Sequence, residues 1–164
     1  MESAIQHSCF ACDPRPDRLF CDLPADAQEA FDLIKSQAKY PRGTTLFREG
    51  QAAHGIFVVC EGRVKLSVYA ESGKRIAYRI AAAGEVLGLS ATVSGGHYEV
   101  TAETLDTARV AMVKRKDLLR FLRHYREACL QVVNLLSQDL HTAYDRVRSM
   151  GMGRGRRSRV AHVH

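Results

Sequence analysis

GEVLGLSATVSGGHYEVTAE (residues 84–103) sets Gly84 and Gly88 four positions apart, follows them with a Gly95–Gly96 pair, and ends on the run YEVTAE. Glycines at that density break the chain into turns, because only glycine enters the left-handed region without steric cost. The closing run has the composition of a strand. No Lys or Arg falls between Arg79 and Arg109. A turn without a cation offers an anion only backbone N–H groups, and that makes a weak site.

The same punctuation extends outward from this stretch. Between Pro41 and Lys114, the runs TTLF, GIFVVC, RVKLSVY, KRIAYRIA, YEVTAE and ARVAMV are separated by glycines from Gly43 onward. Short apolar runs at this spacing predict an all-β barrel or sandwich. In RVKLSVY, Val64, Leu66 and Val68 alternate with Lys65 and Ser67, the period of a half-buried strand. ESGK (71–74) predicts a hairpin turn with Gly73 at positive φ. Before the β region, LPADAQEAFDLIKSQAKY (23–40) reads as one amphipathic helix with Asp26 as its cap and Ala30, Phe31 and Ile34 on one face.

After Lys114 the period changes. A short helix is expected at 116–123 and a long one at 125–149, where Cys129, Val132, Leu136, Leu140, Ala143 and Val147 form a stripe at three- and four-residue steps. Val133 and Tyr144 widen it. At 1.5 Å per residue this helix spans roughly 37 Å, more than one small barrel needs, and the excess points to a seam with a second helix. The chain therefore divides into an arm (1–22), a β domain with flanking helices (23–124), a dimerisation helix (125–150) and a basic tail (151–164).

The 164 residues are 46% hydrophobic, enough for one domain with a packed core. The net charge is +6, but Arg154, Arg156, Arg157 and Arg159 sit in the tail, and without them residues 1–150 carry +2. The globular part thus has no strong nucleic-acid footprint, and the tail is expected to touch nucleic acid only without sequence specificity. There is no signal-peptide pattern and no apolar window of membrane-spanning length, so the expectation is a cytoplasmic chain with no membrane partner. The five cysteines are Cys9, Cys12, Cys21, Cys60 and Cys129. In such a compartment the clustered ones point to metal or redox chemistry rather than to structural disulfides. Cys9, Cys12 and Cys21 are candidate ligands for zinc or an iron–sulfur cluster, with His7 or Asp13 able to complete the set. Cys60 and Cys129 read as core. Enzymatic motifs are missing: there is no HExxH, Gly-x-Ser-x-Gly or P-loop, and His54 and His97, the histidines of the β region, both fall in turns.

The order helix, β-roll, short helix, long helix resembles the sensory domain of the Crp–Fnr family of bacterial transcription regulators. RGTTLFREGQ is similar to the family's entry strand, IFVVCEGRVKL to its central hairpin, AGEVLGLSA to the turn into its pocket helix, and RSMG to its hinge. The resemblance covers roughly residues 19–151 and implies a jelly-roll-like double-stranded β-roll of the cyclic nucleotide-binding type and a homodimer. It also implies an effector pocket at Gly84, Glu85, Gly88, Leu89, Ser90, Tyr98 and Glu99. In nucleotide-binding members a Glu near the second glycine holds the ribose, and an Arg about ten positions later grips the phosphate. Leu89 and the run His97–Tyr98–Glu99 stand there instead. Cyclic nucleotide binding is therefore not expected, although a cyclic nucleotide-binding module remains an alternative. Arg79 is expected to face outward.

Oxygen-sensing members hold an iron–sulfur cluster on amino-terminal cysteines plus a later one. Cys9, Cys12 and Cys21 are similar to the first set, but Ala111 stands where the later one is expected. Full-length members also carry a helix-turn-helix after the hinge, and the residues after Gly151 are too few for one. The reading is a sensory and dimerisation domain responding to redox state or a small effector. The alternative is a regulatory fragment that pairs with full-length relatives.

Overall fold

The computed structural model describes residues 20 and 23–153. Helix α1 (Ala25–Ile34) leads into strands β1 (Lys35–Tyr40), β2 (Thr45–Phe47), β3 (Gly55–Glu61), β4 (Val64–Tyr69), β5 (Arg75–Ala81) and β6 (Val86–Leu87). Helix α2 (Leu89–Ser94), strands β7 (Thr101–Thr104) and β8 (Ala108–Lys114), and helices α3 (Arg115–His124) and α4 (Arg126–Gly153) complete the order. The strands form two four-stranded antiparallel sheets, in the orders β1-β8-β3-β6 and β2-β7-β4-β5. This is the β-roll with flanking helices and a long terminal helix that the sequence implied.

The burial pattern explains why GIFVVC is apolar throughout. Phe57 and Val59 point into the roll with Phe47, Val64, Leu66, Leu87 and Val110. Ile56, Val58 and Cys60 point the other way, against Phe31, Leu118, Phe121 and Val132 of the helices. Strand β8 divides its side chains the same way, Val110 inward and Ala111 and Val113 toward the helices. A strand buried on both faces reads as a continuous apolar run. The 71–74 turn forms as expected, with Gly73 at φ +83° and its N–H donating to the Ala70 carbonyl at 2.8 Å.

Two expectations are corrected. The helix predicted over 23–40 ends at Ile34, and residues 35–40 form β1, paired in register with β8 from Lys35 opposite Val113 to Tyr40 opposite Ala108. Lys, Gln and Ala favour a helix, but β8 offers a free edge, and tertiary pairing overrides a weak local preference. Asp26 does not cap α1: Pro24 occupies the N-cap and Asp26 lies in the first turn, where its charge suits the helix dipole.

Helix α4 has 28 residues and is about 42 Å long. Ala128 and Val132 are buried against its own domain, and Leu135 and Leu136 are partly so. Farther on, its apolar side chains stand in solvent, including Leu140, Val147 at 66% and Met150 at 68% exposure. Val132, assigned to the free stripe, therefore belongs to the domain's own core (3% exposed), and Val133 faces out in its place. Cys60 is buried as expected. Cys129, expected in the core, is exposed.

Candidate functional site

The 84–96 turn is built on left-handed glycines. Gly84 (φ +96°) donates its N–H to the Val59 carbonyl at 2.7 Å, and Val59 N–H donates back to the Glu85 carbonyl at 2.9 Å, fixing the turn to β3. Gly88 (φ +78°) starts α2, and Gly95 (φ +77°) ends it. From α3, the Arg115 Nε donates to the Thr92 carbonyl at 2.8 Å and holds the far end of α2.

Not every residue assigned to the effector pocket lies open to it. Leu89 is buried in the helix-side core, and Ser90 is exposed. Tyr98 is packed into the roll. Only 2% of it is exposed, and its ring stacks on Phe47 at 4.0 Å between centroids. Its hydroxyl donates to the Gly55 carbonyl at 2.6 Å and accepts from the Gly55 and His54 N–H groups at 3.2 and 3.3 Å. Glu99, the next residue, points outward, as alternation along an extended segment requires.

Charge collects on the outer side of this turn. Arg79 lies there, half-buried, and its guanidinium pairs with the Glu85 carboxylate, whose other oxygen accepts from Ala82 N–H at 2.7 Å. Glu99 has its carboxyl held above the ordinary range, first by crowding from surrounding protein and then by the charge of Asp139, while its own backbone N–H opposes the shift. Asp139, on α4, is raised mainly by the same crowding, with Arg79 opposing and Glu85 adding to the shift. Asp139 thus feels both members of a guanidinium–carboxylate pair that is already made, and Glu99 feels the charge of Asp139. Farther along α4, the Arg146 guanidinium stacks over the Tyr78 ring at 4.0 Å and donates to the Tyr78 carbonyl at 2.9 Å, binding the helix to β5.

The sequence reading missed Asp139, Arg146 and Tyr78. Its one available clue was that Arg79 is the last cation before the turn. Among the described residues, no group of three or more His, Cys, Asp and Glu is placed to hold a metal ion. Cys9, Cys12 and Cys21, with His7 and Asp13, lie outside the described residues. No described helix is long and apolar enough to cross a membrane.

A glycine-turned β-roll with a short helix in the turn and a long helix laid past it defines a sensory domain of the cyclic nucleotide-binding type. The chain belongs to that family: residues 37–125 match the cyclic nucleotide-binding domain, and its sequence relatives are regulators of the Crp–Fnr kind. It is 29% identical over 129 residues to the "Probable transcriptional regulator flp" of Lacticaseibacillus casei, covering 79% of this chain and 57% of the relative. It is 25% identical over 128 residues to the transcriptional activatory protein AadR of Rhodopseudomonas palustris, covering 78% and 52%. The chain thus spans about half the length of the curated relatives it matches. In fold it is similar to the catabolite activator protein of Thermus thermophilus, with a TM-score of 0.72 at 19% identity over 79% of this chain and 61% of that one.

Proposed function

We propose that these residues are the sensing and pairing module of a Crp–Fnr-type regulator whose effector is not a cyclic nucleotide, and that the module has no catalytic role. One observation carries the reading. Arg79, the cation beside Glu85 of the turn, is already paired with that carboxylate, and the charge of Asp139 acts alongside the pair. A phosphodiester brought there meets negative charge and must compete for the guanidinium, whereas a nucleotide site depends on an available bidentate cation. Titration calorimetry with cyclic AMP on the full chain tests this. No saturable heat up to about 1 mM is expected, equivalent to less than about 4 kcal/mol of binding. A micromolar dissociation constant refutes it.

The pairing half of the proposal rests on α4. Val133, Leu140 and Val147 alternate with Cys129, Leu136, Ala143 and Met150 at steps of four and three, the a and d positions of a heptad. All of them are exposed except Leu136, which is half-buried. Sedimentation of the chain is expected to give a dimer at tens of micromolar, and L140D/V147D a monomer. For the signal itself, we propose that the thiols of Cys9, Cys12 and Cys21 respond to redox state directly or through zinc or an iron–sulfur cluster. Iron, sulfide and zinc analysis with a visible spectrum of anaerobically prepared protein tests that part.

A further inference from the structure

A groove opens where α1, α3 and the start of α4 meet. Its floor is apolar, made by Ala30 and Ile34 of α1 with Phe121 of α3 and Tyr125 just before α4, and its volume is about 410 Å³. Phe121 and Tyr125 pack with their ring centroids 5.1 Å apart, so the floor continues the aromatic cluster of the helix-side core. The rim is basic: Arg120, Arg123 and His124 stand exposed there, against the single carboxylate of Asp117. Among the described residues, neither arginine is in an ion pair. An apolar floor beneath unpaired cations suits a segment that carries a hydrophobic ring close to a carboxylate.

Such a segment belongs to the same chain. Phe20 packs edge-on against Phe31 and Phe121, at 4.8 and 5.5 Å between centroids, and its N–H donates to the Gln131 side chain at 2.5 Å. Residues 1–19 therefore join the fold beside Phe121, which is also part of the groove's floor. Residues 1–14 hold Glu2 and Asp13 and no Lys or Arg, and in CFACD (9–13) Phe10 lies three positions before Asp13. We propose that the segment Cys9–Asp13 docks in this groove, with the Phe10 ring on Phe121 and Tyr125 and the Asp13 carboxylate against Arg120 and Arg123. The stretch from Phe10 to Phe20 can extend to roughly 33 Å, ample for a groove that starts at Phe121. A tethered segment is present at an effective concentration on the order of millimolar, so a contact too weak to form between separate molecules suffices. Docked in this way, Cys9 and Cys12 flank the Phe10 anchor at the junction of α3 and α4. The contact depends on neither the pairing nor the redox reading proposed above.

The chain has no tryptophan, so F10W in the full chain is a single fluorescent reporter. Blue-shifted emission is expected, with acrylamide quenching several-fold weaker than for free tryptophan, and both should be independent of protein concentration. R120E/R123E changes two exposed side chains; added to F10W, it should return the emission to that of an exposed tryptophan while circular dichroism stays unchanged. Adding D13R to that variant should restore the shielding. An exposed tryptophan in F10W overturns the proposal. So does shielding that R120E/R123E leaves intact, because the ring is then covered elsewhere, and so does a failure of D13R to restore it. Shielding lost on dilution assigns the groove to the arm of a second copy and overturns the contact within one chain.

Discussion

Gly88→Ala should destabilise the chain by about 2–5 kcal/mol, and the loss separates into two parts. The backbone there is at φ +78°, where a Cβ costs about 1–2 kcal/mol. The added methyl would also sit 2.7 Å from Tyr98 Cε1 and 3.2 Å from Cδ1. That ring has no room to retreat, since Phe47 stacks on it and its hydroxyl is bonded to Gly55. Forcing a methyl into such packing adds about 1–3 kcal/mol. Gly73→Ala is the control: its φ is +83°, and nothing lies within 4 Å of the place its methyl would take, so only the backbone part applies. Urea denaturation of both variants at one protein concentration reads the difference, because a pairing chain's stability depends on concentration. With a slope of about 1–3 kcal/mol per molar, the Gly88 variant should melt roughly 1 M of urea below the Gly73 variant. Coincident midpoints would refute the claim that Tyr98 is a fixed plug beneath the turn.

Tyr98→Phe keeps the stack but leaves the Gly55 carbonyl and two N–H groups without their partner. A loss of about 1–3 kcal/mol in thermal or urea unfolding is expected. Arg146→Ala removes a ring stack and a hydrogen bond that together contribute roughly 1–3 kcal/mol to docking α4. Amide exchange over residues 140–150 should accelerate at least about tenfold while β3 and β8 keep their protection. Asp139 and Glu99 are raised, so the folded chain holds protons that the unfolded chain has released. Their contribution to stability is complete at low pH and is lost as pH rises through the folded values. Asp139→Asn should therefore be more stable than the parent at pH 7 and equal to it below the ordinary aspartate value of 3.8. Higher parent stability at pH 7 would show that the carboxylate is held by donors and not crowded.

The strands were readable because glycines bracket them and because β3 and β8, buried on both faces, carry uninterrupted apolar runs. Strand β1 was not readable. KSQAKY has no alternating apolar set, and its six residues become a strand only because β8 lies beside them, seventy positions on. The turn glycines were readable from their spacing, and Gly84, Gly88 and Gly95 do take positive φ, whereas their assignment with Glu85 to an effector pocket came from the resemblance. The burial of Tyr98 was not readable, because the groups that pack against it, Phe47 and Gly55, come from distant strands. The α4 stripe had a different ambiguity. Val132 and Val133 are equally apolar, and only the position of the β-roll decides which of them turns inward. Asp139 and Arg146 look like ordinary surface charges on a helix until that helix is laid across β5 and the 84–96 turn.

The shape of that turn and its chemistry are held by different residues. Beneath it, Gly88 accommodates Tyr98, Leu89 and Ala91 enter the two cores, and Arg115 fixes the Thr92 carbonyl. The charged side chains of Arg79, Glu85, Glu99 and Asp139 are not among these braces. Glu99 and Asp139 are exposed, where exchanging one charged group for another ordinarily changes stability little. The backbone geometry of a nucleotide-type turn can therefore persist with no free phosphate-gripping cation, because nothing in its bracing depends on one. The same separation links the outer charges to α4 rather than to the core: Asp139 belongs to the helix, and its neighbours belong to the roll. In the proposed dimer, a ligand that alters the pairing of Arg79 with Glu85 reaches Asp139, and so the helix proposed to carry the seam, without first disturbing the packed interior.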